Sequence, residues 1–251
     1  MTTKSKGPEE KKSGDQAYWA QPVSKLKVDH APKGAVNLNV EGRQVVGPLQ
    51  GFGQLWQKTY WVRLSGAEVS PRELIKTWKE NFQKFWPEGS RFYAPIAGIA
   101  PGEVALINIT QPGGMVLSTG IMVLYADEES FTFMTPEGHM LSGWITFSGF
   151  EEDGDTVAQV QVLIRANDPL WEIAMRLIGF KKEDKFWLAT LDSLARHFGV
   201  SGHTQMTATV VDPRLQWSQA KNVWHNAAIR SAVHATMSPL RWLRGLVVRG
   251  N

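Results

Sequence analysis

The sequence contains no cysteine among its 251 residues. This absence excludes a disulfide framework, a thiolate nucleophile, a zinc site with cysteine ligands and an iron–sulfur cluster. Long hydrophobic runs are absent too, since no stretch reaches the roughly 18 apolar residues that suggest a spanning helix. The charged segment 1–16 also lacks the apolar core of a secretory signal. We therefore expect a cytoplasmic protein.

Common catalytic signatures are missing as well. The sequence has no G-x-S-x-G, no H-E-x-x-H and no Walker A motif. Gly51-Phe52-Gly53 lacks the third glycine of a dinucleotide-binding loop and precedes a predicted strand. His197 and His203 flank a helix end without a third ligand close to them in the sequence. No metal site and no cofactor are predicted, and catalytic residues stay unknown.

Basic residues are concentrated near the C-terminus. The chain carries a net charge of +3, whereas residues 193–251 contain seven Lys or Arg and a single acid. These cations are few, and no motif that reads DNA or RNA accompanies them. Nucleic acid is therefore not a predicted partner.

Hydrophobic periodicity divides the chain into three parts. Residues 1–50 combine charged low-complexity sequence with scattered Pro and Gly, which is typical of a disordered or irregular extension that contributes little to a core. Residues 51–200 show sustained strand and helix patterns and are predicted to form one domain. Residues 201–251 are predicted to form a basic, Trp-containing helical tail.

The central part begins with a strand and a helix. Alternation from Leu55 to Leu64 predicts a half-buried strand, and Ser70-Pro71-Arg72-Glu73 supplies the N-cap, first-turn proline and following glutamate of a helix start. After Pro101-Gly102 the period changes to two. Turn sequences then separate five candidate strands of an antiparallel meander: Glu103–Thr110, Met115–Tyr125, Ser130–Thr135, Gly143–Glu151 and Thr156–Arg165.

A second helical region follows Asp168-Pro169. The pattern predicts a helix from Leu170 to Ile178, a break at Gly179 and a long helix from Glu183 to Phe198, with Gly199 as its C-terminal cap. A meander followed by a long helix predicts an α+β fold, in which a curved antiparallel sheet wraps the C-terminal helix. Such an arrangement encloses space between the sheet and the helix.

This order of elements resembles the START-like (SRPBCC) superfamily, whose fold is called helix-grip, over residues 55–199. Within that range Thr135-Pro136-Glu137-Gly138-His139, followed by Gly143 and Phe147, is similar to a T-x-x-G-H-x-x-x-G-x-x-x-F stretch of an uncharacterised branch. Trp144-Ile145 stands where that branch usually has an acidic pair. The resemblance implies an internal cavity for an apolar ligand and leaves open whether a reaction takes place there.

His139 is the first candidate for a polar contact with a ligand. It follows the turn 136–138, at a strand end where the mouth of the cavity is expected. A neutral imidazole there could hydrogen-bond a ligand oxygen or act as a general base. Alternatively, it hydrogen-bonds the backbone and shapes the turn. Glu137 could pair with His139 or be solvated.

Aromatic residues on the candidate strands could line the cavity if they face inward. Five are candidates for contact with an apolar ligand: Trp61, Phe131, Phe133, Trp144 and Phe147. The alternative for each is ordinary core packing. The sequence does not decide which face of the sheet is the inner one.

The tail contains two helical patterns. The first places Trp217 and Trp224 on one face. The second joins an apolar stripe to Arg241, Arg244 and Arg249. Residues 213–251 could therefore contact an anionic membrane peripherally, dock on a protein partner or pack on their own domain.

Three functions follow from these patterns. The first is binding or carrying a hydrophobic small molecule, such as a lipid, a polyketide or an aromatic compound. The second is a polyketide-cyclase-like reaction in which His139, with Glu137, Tyr60 or Tyr125, supplies acid–base chemistry. The third is recruitment to a membrane or a complex through the basic tail.

Overall fold

A computed structural model describes residues 16–111 and 114–236. The strands in this part of the chain are β1 (Val45–Val46), β2 (Leu55–Arg63), β3 (Ser90–Tyr93), β4 (Val104–Thr110), β5 (Val116–Ala126), β6 (Ser130–Pro136), β7 (Leu141–Glu152), β8 (Asp155–Ala166) and β9 (Gln205–Asp212). The α-helices are α1 (Pro71–Glu80), α2 (Pro169–Ala174), α3 (Phe180–His197) and α4 (Ala227–Thr236). Short 3₁₀ helices span Gln16–Tyr18, Pro48–Gln50, Phe82–Phe85 and Trp217–His225.

The strands form one antiparallel sheet in the order β3-β4-β5-β6-β7-β8-β2-β9, and β1 pairs with β6. Strands β3 to β8 are neighbours in the sequence and in the sheet, so this part is a meander. Strand β2 pairs with β8, with Lys58 opposite Val162. The five predicted meander strands and the predicted strand from Leu55 are confirmed, with bounds that differ by no more than two residues.

The two edge strands, β3 and β9, are not predicted from the sequence. Residues 201–251 are predicted to be a helical tail, but Gln205–Asp212 is a strand that pairs with β2, with Thr207 opposite Thr59. Most side chains of β9 are exposed, so no alternation of apolar and polar residues marks it. The helical assignment is therefore wrong for this part of the tail.

Helix α1 begins where its capping sequence predicts. The Ser70 hydroxyl accepts a hydrogen bond from the Glu73 amide at 3.3 Å, and Pro71 occupies the first turn. Leu74, Ile75 and Trp78 are fully buried. Helix α1 thereby packs on β7 and β8, on the sheet face that we call the inner face.

Helices α2 and α3 belong to one continuous helical segment. The carboxylate of Asp168 caps α2, because it accepts hydrogen bonds from the amides of Leu170 and Trp171 at 3.0 and 3.1 Å. The sequence predicts a break at Gly179, but a π-helical turn at Met175–Gly179 leads directly into α3. A Cβ on Gly179 would lie 2.3 Å from Met175 Sδ, so glycine allows this close packing instead of ending the helix.

Helix α3 packs against the inner face of the sheet. Leu191, Leu194 and Ala195 are fully buried in the core that the sheet and α1 also form. The helix ends at His197, and Gly199 has the left-handed backbone (φ +77°) expected of a C-terminal cap. An antiparallel sheet that holds a long C-terminal helix confirms the predicted α+β helix-grip fold.

The N-terminal extension covers part of the opposite, outer face of the sheet. Leu26 and Val40 are buried there with Leu106 of β4 and Met122 of β5 in a second apolar cluster. Residues 16–50 contain little regular structure, but contrary to the prediction they contribute buried residues to a core. Their buried apolar residues are isolated in the sequence, and isolated residues give no periodic signal.

Candidate functional site

Aromatic rings fill the space between the inner face and the helices. Phe131 and Phe133 of β6 and Phe147 of β7 face inward. Phe131 and Phe147 stack with their ring centroids 4.6 Å apart, and Trp78 of α1 meets Phe147 edge-on at 5.3 Å. Trp187 of α3 contacts Phe147 at 5.5 Å. We call this group the aromatic cluster, and its members are Trp78, Phe82, Trp86, Phe92, Phe131, Phe133, Phe147, Phe186 and Trp187.

Two members of the aromatic cluster have a buried indole N–H without a hydrogen-bond partner. Nε1 of Trp78 and Nε1 of Trp86 find no acceptor among the residues that the structure describes. A buried indole N–H usually has a partner, because leaving it unpaired costs about 1–3 kcal/mol. The interior therefore combines an apolar wall with unpaired donors. The indole Nε1 atoms of Trp56 and Trp171, which pack against the same core, are buried without a described partner as well.

An ionic cluster joins β2 to the start of α3. Lys58 is on the inner side of β2 with its side chain 2% exposed, and its Nζ lies 2.9 Å from Glu183 Oε2 and 2.7 Å from Asp184 Oδ1. The hydroxyl of Tyr60 donates a hydrogen bond to the same Asp184 oxygen at 2.7 Å. Lys58 Nζ also lies 4.6 Å from the ring centroid of Phe180. These contacts fix α3 relative to the strand beneath it.

Desolvation changes the proton affinities in this ionic cluster. Burial raises the pKa of Glu183, although the charge of Lys58 opposes the change. Burial, followed by the negative charge of Glu183, raises the pKa of the Tyr60 hydroxyl far above its usual value. Tyr60 is therefore held in its protonated form as a hydrogen-bond donor to Asp184. This state makes it a poor source of a proton for a reaction.

Trp61 and Trp144 do not face the interior. Trp61 lies between Tyr60 and Val62, which are fully buried in the core, so the alternation of the strand turns Trp61 to the outer face. Trp144 lies on the outer face as well, where it borders a shallow groove of about 170 Å³ with Gln57, Thr146, Gln161, Val162 and Leu163. Of the five aromatic candidates, the structure brings together the three phenylalanines and separates the two tryptophans from them.

His139 contacts the backbone of its own turn. Its Nδ1 lies 3.0 Å from both the amide nitrogen and the carbonyl oxygen of Leu141. Burial of the ring lowers the pKa of His139 to about 4, so the imidazole is neutral at pH 7. Gly138, which precedes it, has φ +88°, and a Cβ there would approach the carbonyl oxygen of His225 to 2.0 Å. The geometry is that of a residue that shapes the turn, and a role in ligand contact stays a prediction.

Glu137 and Tyr125, the other residues considered for acid–base chemistry, have partners of their own. The Glu137 carboxylate lies 3.3 Å from Arg43 Nη1, so it pairs with Arg43 instead of with His139. His225 Nδ1 lies 2.7 Å from the same carboxylate. The ring of Tyr125 contacts Trp19 of the N-terminal extension at a centroid distance of 4.8 Å. Its hydroxyl donates to Asp127. The structure does not assemble these groups around His139.

Helix α4 packs on the outer face of the sheet. Ser231 accepts a hydrogen bond from Asn39 Nδ2 at 3.1 Å, and Asn39 Nδ2 also donates to the carbonyl oxygen of Ser118 at 2.8 Å. Before α4, Trp217 and Trp224 are 72% and 82% exposed. The three cations of the predicted tail helix, Arg241, Arg244 and Arg249, lie outside the described residues.

Over residues 16–111 and 114–236, no helix combines the length and apolar character needed to cross a bilayer. In the same ranges, no group of three or more His, Asp and Glu side chains has the arrangement of a metal site.

No protein-family model and no curated protein matches the sequence. Solved structures show some similarity. Protein Ms6760 from Mycobacterium smegmatis is 12% identical, with a TM-score of 0.41 over 56% of this chain and 89% of that chain. Ara h 8.0201 is 13% identical, with a TM-score of 0.41 over 57% of this chain and 97% of that chain. StfQ, a di-domain ARO/CYC protein from the steffimycin biosynthetic pathway, is 10% identical, with a TM-score of 0.42 over 59% of this chain and 53% of that chain. At these values, the fold assignment depends on the sheet order and helix packing of this chain itself.

Proposed function

We propose that the protein binds a hydrophobic small molecule in the aromatic cluster, between the inner face of the sheet and α3. The observation that carries the proposal is the pair of buried, unpaired indole N–H groups of Trp78 and Trp86. A ligand with an aromatic or aliphatic body and one or two acceptor oxygens matches this environment. Lipids, polyketides and aromatic compounds share this chemistry. The rings supply apolar contact area, and the two donors orient the ligand.

Binding requires that the packed interior opens, and the segment of α2 and the π-helical turn has fewer buried residues than α3. In α2 only Glu172 is buried, and in the turn only Met175. Helix α3, by contrast, buries Thr190, Leu191, Leu194 and Ala195. Segments with few buried contacts open at lower free energy than the rest of a domain. We therefore propose that a ligand enters by displacement of α2 and this turn.

A polyketide-cyclase-like reaction in the same interior has weaker support. Such chemistry needs two titratable groups that converge on the ligand. Tyr60 donates to Asp184, Glu137 pairs with Arg43, and His139 is bonded to its own turn. Binding without catalysis needs only the apolar wall and the indole donors.

A contact of residues 213–251 with a membrane or a protein partner stays a second proposal. The exposed side chains of Trp217 and Trp224 support it, because large apolar surface on a helix exterior marks interaction sites. Changing Arg241, Arg244 and Arg249 together to Gln tests the cationic part of this proposal by sedimentation with anionic liposomes.

Fluorescence titration with 1-anilinonaphthalene-8-sulfonate tests the binding site, because this dye has an aromatic body and acceptor oxygens. We expect saturable binding at one site. Trp78→Phe and Trp86→Phe keep a ring and remove the indole N–H, so each should weaken binding about five- to tenfold, the value of about one hydrogen bond. Trp144→Phe makes the same chemical change on the outer face and should bind like the wild type.

Thermal unfolding of each variant separates loss of the donor from loss of the fold. Equal affinity in all three variants, or binding that does not saturate, would refute a site in the aromatic cluster. Native mass spectrometry of protein purified from its own host then identifies a co-purified compound. The mass of that compound distinguishes lipids from polyketides and simpler aromatic molecules.

A further inference from the structure

Four large apolar side chains are exposed on the outside of the segment formed by α2 and the π-helical turn. Leu170, Ile173, Leu177 and Ile178 are 48%, 58%, 72% and 57% exposed. Ile173 lies three residues after Leu170, and Leu177 and Ile178 lie four and five residues after Ile173. These spacings place the four residues on one side of a segment that changes from α-helical to π-helical geometry. We call these four residues the exposed stripe. Exposed apolar groups that are contiguous mark an interaction surface.

The same side of the helical segment continues as a row of cations. Lys181 and Lys182 follow Leu177 and Ile178 by four residues, and Lys185 follows one turn later. All three lysines are exposed. The exposed stripe and these lysines therefore form a single surface that is apolar at its N-terminal end and positive at its C-terminal end.

The acids of this segment are directed away from that surface. Glu183 and Asp184 bind the buried Lys58, and Glu172 is buried and pairs with Arg176. The ionic cluster thus takes the negative charges of the segment to the inside. This inward placement leaves the outer side with a positive charge that the neighbouring acids do not neutralise.

We propose that the exposed stripe and the lysines dock the protein on a membrane that contains anionic lipids. Leu170 and Ile178 are separated by about 12 Å along the helix, at about 1.5 Å per residue, so the stripe can lie in the plane of the interface. In this orientation the Leu and Ile side chains enter the boundary between headgroups and acyl chains. The three lysines, one to two turns further on, contact the negative headgroups.

Two observations favour a bilayer over a protein partner as the occupant. A protein partner with an apolar groove would need only the exposed stripe for binding. The neighbouring lysines in addition match a surface with many negative charges, such as an anionic membrane. Trp217 and Trp224 are also exposed on the 3₁₀ helix Trp217–His225, which contacts α2. Tryptophan is enriched at the level of lipid headgroups, so exposed indoles beside α2 suit the same kind of interface. The proposal does not depend on which ligand the aromatic cluster binds.

Sedimentation of the full chain with liposomes tests the proposal. The vesicles contain either phosphatidylcholine alone or phosphatidylcholine with phosphatidylserine. We expect binding to the phosphatidylserine vesicles that decreases with salt, and at least tenfold weaker binding to the neutral vesicles. Leu177→Asp with Ile178→Asp, and Lys181, Lys182 and Lys185 changed together to Gln, should each weaken binding by about tenfold or more. Ile96→Asp changes an isoleucine that is 86% exposed in a loop elsewhere and should bind like the wild type.

Three results would overturn the proposal. The first is equal binding to neutral and anionic vesicles. The second is loss of binding in the Arg241, Arg244 and Arg249 variant while both stripe variants bind normally, which would assign the contact to the tail. The third is complete competition by soluble glycerophosphoserine, which would indicate a site for a free anion. A thermal midpoint within a few degrees of the wild type shows that each variant is folded. Unchanged dye binding by the lysine variant, whose substitutions lie outside the proposed ligand entrance, separates docking from the ligand site.

Discussion

The inner and outer faces of the sheet are held by different interactions. The inner face meets α1 and α3 through rings and aliphatic side chains. The outer face of β4 and β5 meets the N-terminal extension and α4, and hydrogen bonds of one side chain join these parts. Asn39 donates to Ser118 and Ser231 and accepts from Arg230 Nε at 3.0 Å. The inner face therefore stabilises the domain as a whole, while the outer face attaches two distant segments through a smaller apolar cluster and a few directional hydrogen bonds.

The largest expected effect is at the inner face. Leu191→Asp puts an unpaired charge at a fully buried position of α3, and we expect a loss of about 3–5 kcal/mol in the free energy of unfolding. Urea unfolding followed by circular dichroism measures the loss. Ala189→Asp makes a charge change at an exposed position of the same helix and should cost less than about 1 kcal/mol.

Leu191→Ala covers the case in which the Asp variant does not fold at all. It removes apolar contacts without adding a charge and should cost about 2–5 kcal/mol. If Leu191→Asp were as stable as Ala189→Asp, α3 would not be held by the inner face.

A smaller effect is expected at the outer face. Asn39→Ala removes the donor shared by β5 and α4 and leaves Arg230 without one of its acceptors, so we expect a loss of about 1–3 kcal/mol. The control variant is Asn37→Ala, which removes an exposed hydrogen bond that the Asn37 side chain accepts from the amide of Glu41. Thermal unfolding gives the stability of each variant. Limited proteolysis should show earlier cleavage within residues 16–50 only for Asn39→Ala, and equal cleavage of both would show that this network does not attach the extension.

The smallest expected effect concerns the turn at His139. Its pKa of about 4 in the folded protein is below the ordinary value of 6.5, so the unfolded chain binds more protons between these two pH values. The stability contributed by the neutral ring is complete above pH 6.5 and is lost as the pH falls towards 4. Because the ring is only partly shielded from solvent, we expect a loss of about 1–2 kcal/mol.

Comparison with His139→Asn isolates this titration. The variant should lose less stability than the wild type between pH 7 and pH 4.5 when both are unfolded with urea. His203→Asn changes an exposed histidine and should retain the wild-type dependence. Parallel pH profiles for the wild type and His139→Asn would contradict the lowered pKa of the imidazole.

The meander could be predicted because turn sequences separate its strands and several of the strands alternate apolar with polar residues. In β6, for example, Phe131 and Phe133 face the core, and Asp153-Gly154 marks the turn between β7 and β8. Strand β9 lies at an edge with mostly exposed side chains, and Leu26 and Val40 become buried only through contacts with distant strands. Sequence periodicity reports local amphipathic structure, so it does not detect either feature.

The candidate site was only partly predictable, because both sides of β2 carry aromatic residues. Trp56, Lys58 and Tyr60 alternate with Gln57, Thr59 and Trp61. A lysine normally marks the solvent side, yet Lys58 is on the inner face, where Glu183 and Asp184 compensate its charge. Lys58 lies two residues from both Trp56 and Tyr60, on the same face of the strand. A lysine placed between two aromatic residues of one face is the signal that could have indicated a buried ion pair. Its acidic partners are more than 120 residues away, and a single sequence does not reveal such pairs.

The position of β2 in the sheet also has a kinetic consequence. Strands β4 to β8 can form from successive hairpins, whose ends are close in the chain. Strand β2 must instead wait for β8, about 100 residues later, and then for β9. Because closing so long a loop costs entropy, we expect this pairing to form after the hairpins. During synthesis on the ribosome, the N-terminal third of the chain is therefore complete long before the strands that bury it.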